Sequence, residues 1–270
     1  MEEIAFLSRH EEQLNQLFLE NGFVIMPVTN RELLDRIQKL VADETSKFLQ
    51  ITYTESSLFL NQIHGQLDVE QLNETRLNAI ETMNAQSWFR AAYYHLAKEI
   101  LDILVGNELA MQLRVNLSVQ LPQDDSSLLP VHADVWAGDS PFEVVVWLPL
   151  VDCYGTKAMY LLPPKATEEL YKNFHELSKK NSEELFHDIK PQLKWIEIQY
   201  GQVLIFNHNL PHGNRVNNEQ ETRWTMNCRF KSVFTPYGDK RIGEFFEPIT
   251  LRAASRVGMN YKFPNHIQKK

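Results

Sequence analysis

Hydrophobic and polar positions keep one rhythm in the first part of this chain and another in the rest. Over roughly the first 110 residues the rhythm is helical. Leu14, Leu17 and Phe18 recur at three- and four-residue steps within 11–19, the stripe that a helix turns to one side. Gly22 ends that helix, and Phe23-Val24-Ile25-Met26-Pro27 reads as a short strand. Thr29-Asn30-Arg31-Glu32 has the form of a capping box, and Leu33, Ile37, Leu40 and Val41 extend a helical stripe beyond it. Further helices are expected over 69–83 and 88–105.

Near Met111 the period shortens from about 3.6 residues to 2. Between Leu113 and Leu121 apolar and polar residues alternate without a break, which predicts a strand with one dry face. Its polar face carries Arg114, Asn116, Ser118 and Gln120. That face either meets solvent or lines the inside of a barrel, where Asn116 and Gln120 would hydrogen-bond a ligand. A polar loop over 122–130 leads to a strand at 132–136. Residues 142–150 are nearly all apolar and read as a central strand. Another strand is expected at 158–162, then a helical insertion over 165–190 whose polar side (Glu168, Glu169, Lys172) faces water. Strands follow at 195–200, 202–206 and 222–234, and 239–270 is a tail with a short helix near 251–256. Helices followed by roughly six to eight strands predict an α+β or mostly-β core with the helices on one face of a sandwich or barrel. No linker rich in Gly, Ser or Pro interrupts the chain, so one domain is expected: helical support over 1–110, core over 111–235, tail over 236–270.

Composition narrows the class. The 270 residues are 43% hydrophobic and 23% charged, enough for one sizeable core. The net charge of −8 comes without a basic run or stripe, which excludes nucleic acid and an anionic membrane as expected partners. Cys153 and Cys228 are too few for a disulfide framework and read as buried thiols in a reducing compartment. The chain starts Met1-Glu2-Glu3 with no apolar signal core, and no run approaches the ~18 apolar residues of a membrane span. The expected location is the cytoplasm and the expected partner a small molecule; oligomeric state stays open.

The candidate chemistry starts at His132 and Asp134. Two apart on a strand, they would point the same way with Cα atoms about 6–7 Å apart, close enough to share one ion. A third ligand would come from a neighbouring strand, completing the two-His-one-carboxylate set of non-haem Fe(II) oxygenases. Alone the pair is weak, since such a spacing arises by chance in roughly a third of chains this rich in His.

The second half adds specificity. Gly201-Gln202-Val203-Leu204-Ile205-Phe206 leads through Asn207 and Pro211 to His212-Gly213-Asn214, and Arg223 follows His212 by eleven residues. With Trp147-Leu148-Pro149-Leu150, Met159-Tyr160-Leu161-Leu162-Pro163 and Gly22-Phe23-Val24, this pattern resembles the Fe(II)/2-oxoglutarate oxygenases of the phytanoyl-CoA dioxygenase type, and especially the subgroup found in carbohydrate-biosynthesis clusters. Gln202 stands where that family usually has Asp, and Lys157-Ala158-Met159 departs from its local cosubstrate pattern.

The resemblance implies a double-stranded β-helix (jelly-roll, cupin-like) core with N-terminal supporting helices. It implies Fe(II) held by His132, Asp134 and His212, with 2-oxoglutarate as cosubstrate and O₂ as oxidant. Arg223 and Thr225 would bind the far carboxylate of 2-oxoglutarate, a group too costly to bury unpaired. His208 competes with His212 as ligand, but the Arg223 offset favours His212; His208 would then pack nearby or touch substrate. Trp136 would wall the substrate pocket or pack in the core. Arg215, Arg229 and Arg252 are expected in surface ion pairs, with an anionic substrate as the alternative. The implied substrate is a sugar or sugar nucleotide in polysaccharide or natural-product assembly. Two other functions remain: a cupin-type isomerase or lyase, which would not need Arg223 and Thr225, and a non-catalytic sugar-binding protein, which would not need the metal triad.

Overall fold

A computed structural model describes residues 5–177 and 179–264. Six helices form the N-terminal part: α1 (Arg9–Asn21), α2 (Arg31–Leu49), α3 (Ser56–Gln62), α4 (Val69–Ala85), α5 (Phe89–His95) and α6 (Lys98–Leu104). The reciprocal capping box sits at Ser8 and Glu11 of α1. At α2 Asn30 alone caps, accepting from the Leu33 N–H, because Leu33 and not Glu32 is the third helical residue. Helix α3 was not expected; at seven residues it is too short to show a period, and it forms because Phe59 and Leu60 bury.

The strands are β1 (Phe23–Pro27), β2 (Leu109–Gln112), β3 (Asn116–Gln120), β4 (Val144–Pro149), β5 (Met159–Leu161), β6 (Lys194–Ile196), β7 (Gln202–Asn207), β8 (His212–Gly213), β9 (Arg223–Ser232) and β10 (Phe246–Pro248). They build an antiparallel sheet ordered β1-β7-β4-β9-β2-β10, with β3 also on β9, and a smaller antiparallel sheet ordered β6-β5-β8. The alternation over 113–121 does not give one strand. The chain bends at Leu113 and Arg114, where Asn84 of α4 holds both the N–H and the C=O of Val115. The insertion at 165–190 is three helices: α7 (Pro164–Lys172), α8 (Phe174–Leu177) and α9 (Ser182–Ile189). Glu168, Glu169 and Lys172 are exposed as expected, while Leu185, Phe186 and Ile189 pack onto Tyr160 and Leu162. The tail adds β10 and α10 (Ala253–Asn260); its last six residues, 265–270, lie outside the described residues.

Strand period sorts the residues into layers. Val144, Val146 and Leu148 of β4, Val203 and Ile205 of β7, and Trp224, Met226, Cys228 and Phe230 of β9 pack against Leu34, Ile37, Leu60 and Tyr93 of the helices. Val145, Trp147, Leu204 and Phe206 point the other way, onto Met159, Leu161 and Ile196 of the small sheet. Strand β4 reads as a continuous apolar run because both of its faces are covered. Both cysteines are buried and free, and burial pushes each thiol up to about 12.

Candidate metal centre

A cavity of about 260 Å³ is lined by strands of both sheets, with His132, Asp134, His212, Arg223 and Thr225 all in its wall. His132 and His212 are cross-strand partners: the His132 N–H donates to the His212 carbonyl at 3.1 Å and the His212 N–H returns to His132 at 2.8 Å. Such a pair puts both side chains on one face, and their ring centroids lie 4.3 Å apart. The expected strand over 132–136 ends there. Residues 134–137 form a 3₁₀ turn closed by Gly138 in the left-handed region (φ 90°). Asp134 therefore reaches His132 by a turn and not by strand alternation. Its N–H is fixed by the His208 carbonyl at 3.1 Å, and its Oδ1 comes 3.6 Å from His132 Nε2. The same turn carries Trp136 away from the cavity; its indole N–H donates to the Tyr171 hydroxyl at 3.3 Å and its ring packs on Phe174.

One ligand atom from each of His132, Asp134 and His212 lies within 4.8 Å of the others. Nδ1 of His132 sits 2.8 Å from the Pro130 carbonyl, and Nδ1 of His212 sits 2.8 Å from the Leu210 carbonyl. A carbonyl only accepts, so both Nδ1 atoms carry the proton and both Nε2 lone pairs are free. Burial, then the neighbouring His132, push His212 down to about 4, so it is neutral at pH 7. Burial alone would raise the Asp134 carboxyl, but the hydrogen bond from His208 and the charge of Arg229 win and hold it well below the usual carboxylate range. Two imidazoles and one carboxylate are a donor set that suits a divalent iron.

His208 is fully buried behind this group and does not line the cavity. Its Nδ1 lies 3.2 Å from Asp134 Oδ2 and its Nε2 2.9 Å from the Ser140 carbonyl, so it braces Asp134. Arg229 corrects the surface expectation. Its Nη2 and Nε donate to Asp134 Oδ2 at 2.7 and 3.2 Å, and it lines the cavity. The nearby trio Asp134, Asp139 and His208 is also close-set, but Arg229 and Lys240 already neutralise Asp139. Arg215 does make a surface pair, with Glu183 at 2.6 and 2.8 Å. Arg252 is exposed, with its backbone N–H on Glu108.

Away from the histidines, β9 sends Arg223, Thr225, Asn227 and Arg229 into the cavity at every second position. Arg223 is 3% exposed and makes no ion pair among the described residues; its Nη2 donates to Ser118 Oγ at 3.1 Å. Burial pushes it down to about 10, so it stays charged at neutral pH. Arg223 Nε and Thr225 Oγ1 are buried without a hydrogen-bond partner among the described residues. A cation and a hydroxyl left bare in a dry wall fit a carboxylate, which accepts from both. Asn116 and Ser118 of β3 line the cavity too, Arg114 is exposed, and Asn116 donates to Asn227 at 3.2 Å. Gln120 does not line the cavity: its amide donates to the Arg215 carbonyl at 2.7 Å. Lys157, where the motif departed from pattern, is buried on Asn61 and Glu221 at 2.7 and 2.8 Å and also stays out of the cavity. Asn227 was missed by the sequence reading and Arg229 was put first at the surface, although counting by two from Arg223 reaches both.

The sequence matches no family model and no curated protein. Solved structures do share the fold. One is the non-heme monooxygenase ThoJ in complex with nickel, at TM-score 0.53 and 15% identity over 83% of this chain and 79% of that one. Another is SnoK, the alpha-ketoglutarate-dependent carbocyclase from nogalamycin biosynthesis, at TM-score 0.54 and 16% identity over 91% and 97%. A third is HygX from Streptomyces hygroscopicus with nickel and 2-oxoglutarate bound, at TM-score 0.51 and 15% identity over 86% and 89%. The chain thus shares the mixed helical and antiparallel-sheet fold of these three solved structures.

Proposed function

We propose that the chain is a single-domain Fe(II)- and 2-oxoglutarate-dependent oxygenase on a double-stranded β-helix core, acting on a small molecule. The observation that carries this reading is Arg223: a buried, unpaired cation beside an unpartnered Thr225 hydroxyl, in the same cavity as the His132, Asp134 and His212 cluster. The far carboxylate of 2-oxoglutarate would satisfy that feature, which an isomerase or lyase not using 2-oxoglutarate would not need. His132 and His212 would hold iron through Nε2 and Asp134 through Oδ1. When bound, the iron and its cosubstrate supply the oxidising power, with O₂ consumed and 2-oxoglutarate leaving as succinate and CO₂. Arg223 and Thr225 orient the cosubstrate, Arg229 and His208 keep the Asp134 carboxylate turned to the histidines, and Val145, Trp147, Met159 and Phe206 give the cavity an apolar wall that limits water. The family resemblance supports a sugar or sugar nucleotide as the substrate, with hydroxylation as the expected outcome.

Binding of 2-oxoglutarate to the Fe(II)-loaded, anaerobic protein, read by calorimetry, tests this. Arg223→Met should weaken binding at least tenfold, about 1.4 kcal/mol, without lowering the melting temperature of the metal-free protein. His132→Ala and Asp134→Ala should each lose stoichiometric Fe(II). An unchanged 2-oxoglutarate affinity in the Arg223 variant, or iron retained by both ligand variants, would overturn the assignment.

A further inference from the structure

The cavity at the candidate centre is too small for everything the proposed reaction needs. At about 260 Å³ it falls just under the ~300 Å³ where small-molecule sites begin. A compact dicarboxylate beside Arg223 would take up much of that volume, so a sugar-sized second molecule would need more room. Asn116, Ser118, Leu129 and Asn227, however, line this cavity and a second chamber of about 470 Å³ that adjoins it.

The second chamber lies between β3 and the first half of α4. Val69, Leu72, Asn73 and Arg76 line it at the i, i+3, i+4, i+7 positions of one helix face. On β3 the four consecutive residues 116–119 all line it, which a strand edge can do and a strand face cannot. Among the described strands β3 pairs only with β9, so its other edge offers backbone N–H and C=O groups to whatever enters. Ser126 and Ser127 close a third side.

The charge of this lining is selective. The chain carries −8 overall, yet no acidic residue lines the chamber and Arg76 is its one ionic side chain among the described residues. Arg76 is half-buried, donates to Asn73 Oδ1 at 2.7 Å and makes no ion pair among the described residues. Glu70 and Glu74, on the same helix, are exposed and off the lining stripe.

We propose that this second chamber recognises the substrate. It takes a molecule rich in hydroxyl or amide groups that also bears an anionic group, with the anion on Arg76 and the reacting end reaching past Asn116 and Asn227 toward His132 and His212. The proposal rests on the oxygenase reading and names the substrate class that the reading leaves open. Asn73 and Arg76 are then specificity residues. An apolar substrate would leave the free edge of β3 without partners, which disfavours it.

Matched probes test this on the Fe(II)- and 2-oxoglutarate-loaded protein under anaerobic conditions. The pairs are glucose with glucose 1-phosphate, glycerol with glycerol 3-phosphate, and uridine with uridine 5′-monophosphate; inorganic phosphate is the control. In at least one pair the anionic member should bind tenfold or more tighter than its neutral partner and than inorganic phosphate. Arg76→Gln should erase that preference, Arg76→Lys should keep most of it, and neither should change 2-oxoglutarate affinity. The proposal is overturned if no anionic member binds, if phosphate alone binds as well, if the preference survives Arg76→Gln, or if the probes displace 2-oxoglutarate. Binding of 2-oxoglutarate is measured first, so failure of the oxygenase reading shows itself before any probe is added.

Discussion

Trp224, Met226, Cys228 and Phe230 leave one side of β9 and vanish into the helical core, each fully buried. Arg223, Thr225, Asn227 and Arg229 leave the other side and line the cavity. The backbone beneath both sets is the same, paired on one side with β4 and on the other with β2 and β3. The apolar side is satisfied by packing along its whole length. The polar side is satisfied unevenly. Arg229 is tied twice to Asp134 and Asn227 once to Asn116, while Thr225 and Arg223 keep buried atoms with no partner. Polar groups that the fold leaves bare cost stability and mark where a ligand completes the structure, so the gradient along β9 separates scaffold from binding site on one strand.

The largest effect expected from this contrast is on the packed side. Trp224→Ala should cost about 3–5 kcal/mol in urea unfolding, since it empties the volume under α3 and strips the Leu60 carbonyl of its 2.9 Å indole hydrogen bond. A loss below ~1 kcal/mol would break the comparison. Next is a pH effect of about 3 kcal/mol at most, from a cavity residue whose placement is unfavourable. His212 is pushed down to about 4 from 6.5. Above pH 6.5 neither state takes the proton. Between pH 6.5 and about 4 the unfolded chain takes it and the folded one does not, so stability falls as the pH falls through that window. The metal-free protein should therefore lose melting temperature between pH 7 and 5, and His212→Gln should flatten that slope. A parallel slope in the variant would show that other groups set it.

Much of this arrangement is local and could be read from the chain. The alternation that separates Trp224 from Arg223 and Thr225 is a property of consecutive residues, as are the polar positions Asn116 and Ser118 on β3. What could not be read depends on distant partners. Ala133-Asp134-Val135-Trp136 alternates like a strand, but the His208 carbonyl captures the Asp134 N–H and Gly138 closes a turn, so Trp136 leaves the cavity. Residues 113–121 alternate like one strand, but Asn84 from α4 competes for the backbone of Val115. Gln120 has the right parity for the cavity and is drawn off by the Arg215 carbonyl. Arg229 was assigned to the surface on the general habit of arginines; its depth follows from β9 continuing inward past Thr225, which no local pattern reveals.

Smaller effects sharpen the polar side. Arg229→Gln should weaken Fe(II) binding by about 10–100-fold, because Asp134 Oδ2 loses its paired donors and the carboxylate is freed to rotate away from His132. The readout is iron affinity by competition with a chelator of known strength. An affinity equal to that of the unaltered protein would mean that His208 alone suffices to hold Asp134.

The smallest effect is the most discriminating, because two measurements should move in opposite directions. Thr225→Val keeps the side-chain shape and deletes a buried hydroxyl that has no partner. In the metal-free protein the substitution removes a desolvation penalty, so stability should rise by about 1 kcal/mol. In the 2-oxoglutarate complex it removes a hydrogen bond, so affinity should fall by a few-fold to tenfold, on the order of 1 kcal/mol. A buried hydroxyl serving only the fold gives the reverse: stability drops and cosubstrate binding stays unchanged. That result would place Thr225 with Trp224 and Met226 as scaffold, and would leave Arg223 as the only unsatisfied group on which the cosubstrate site rests.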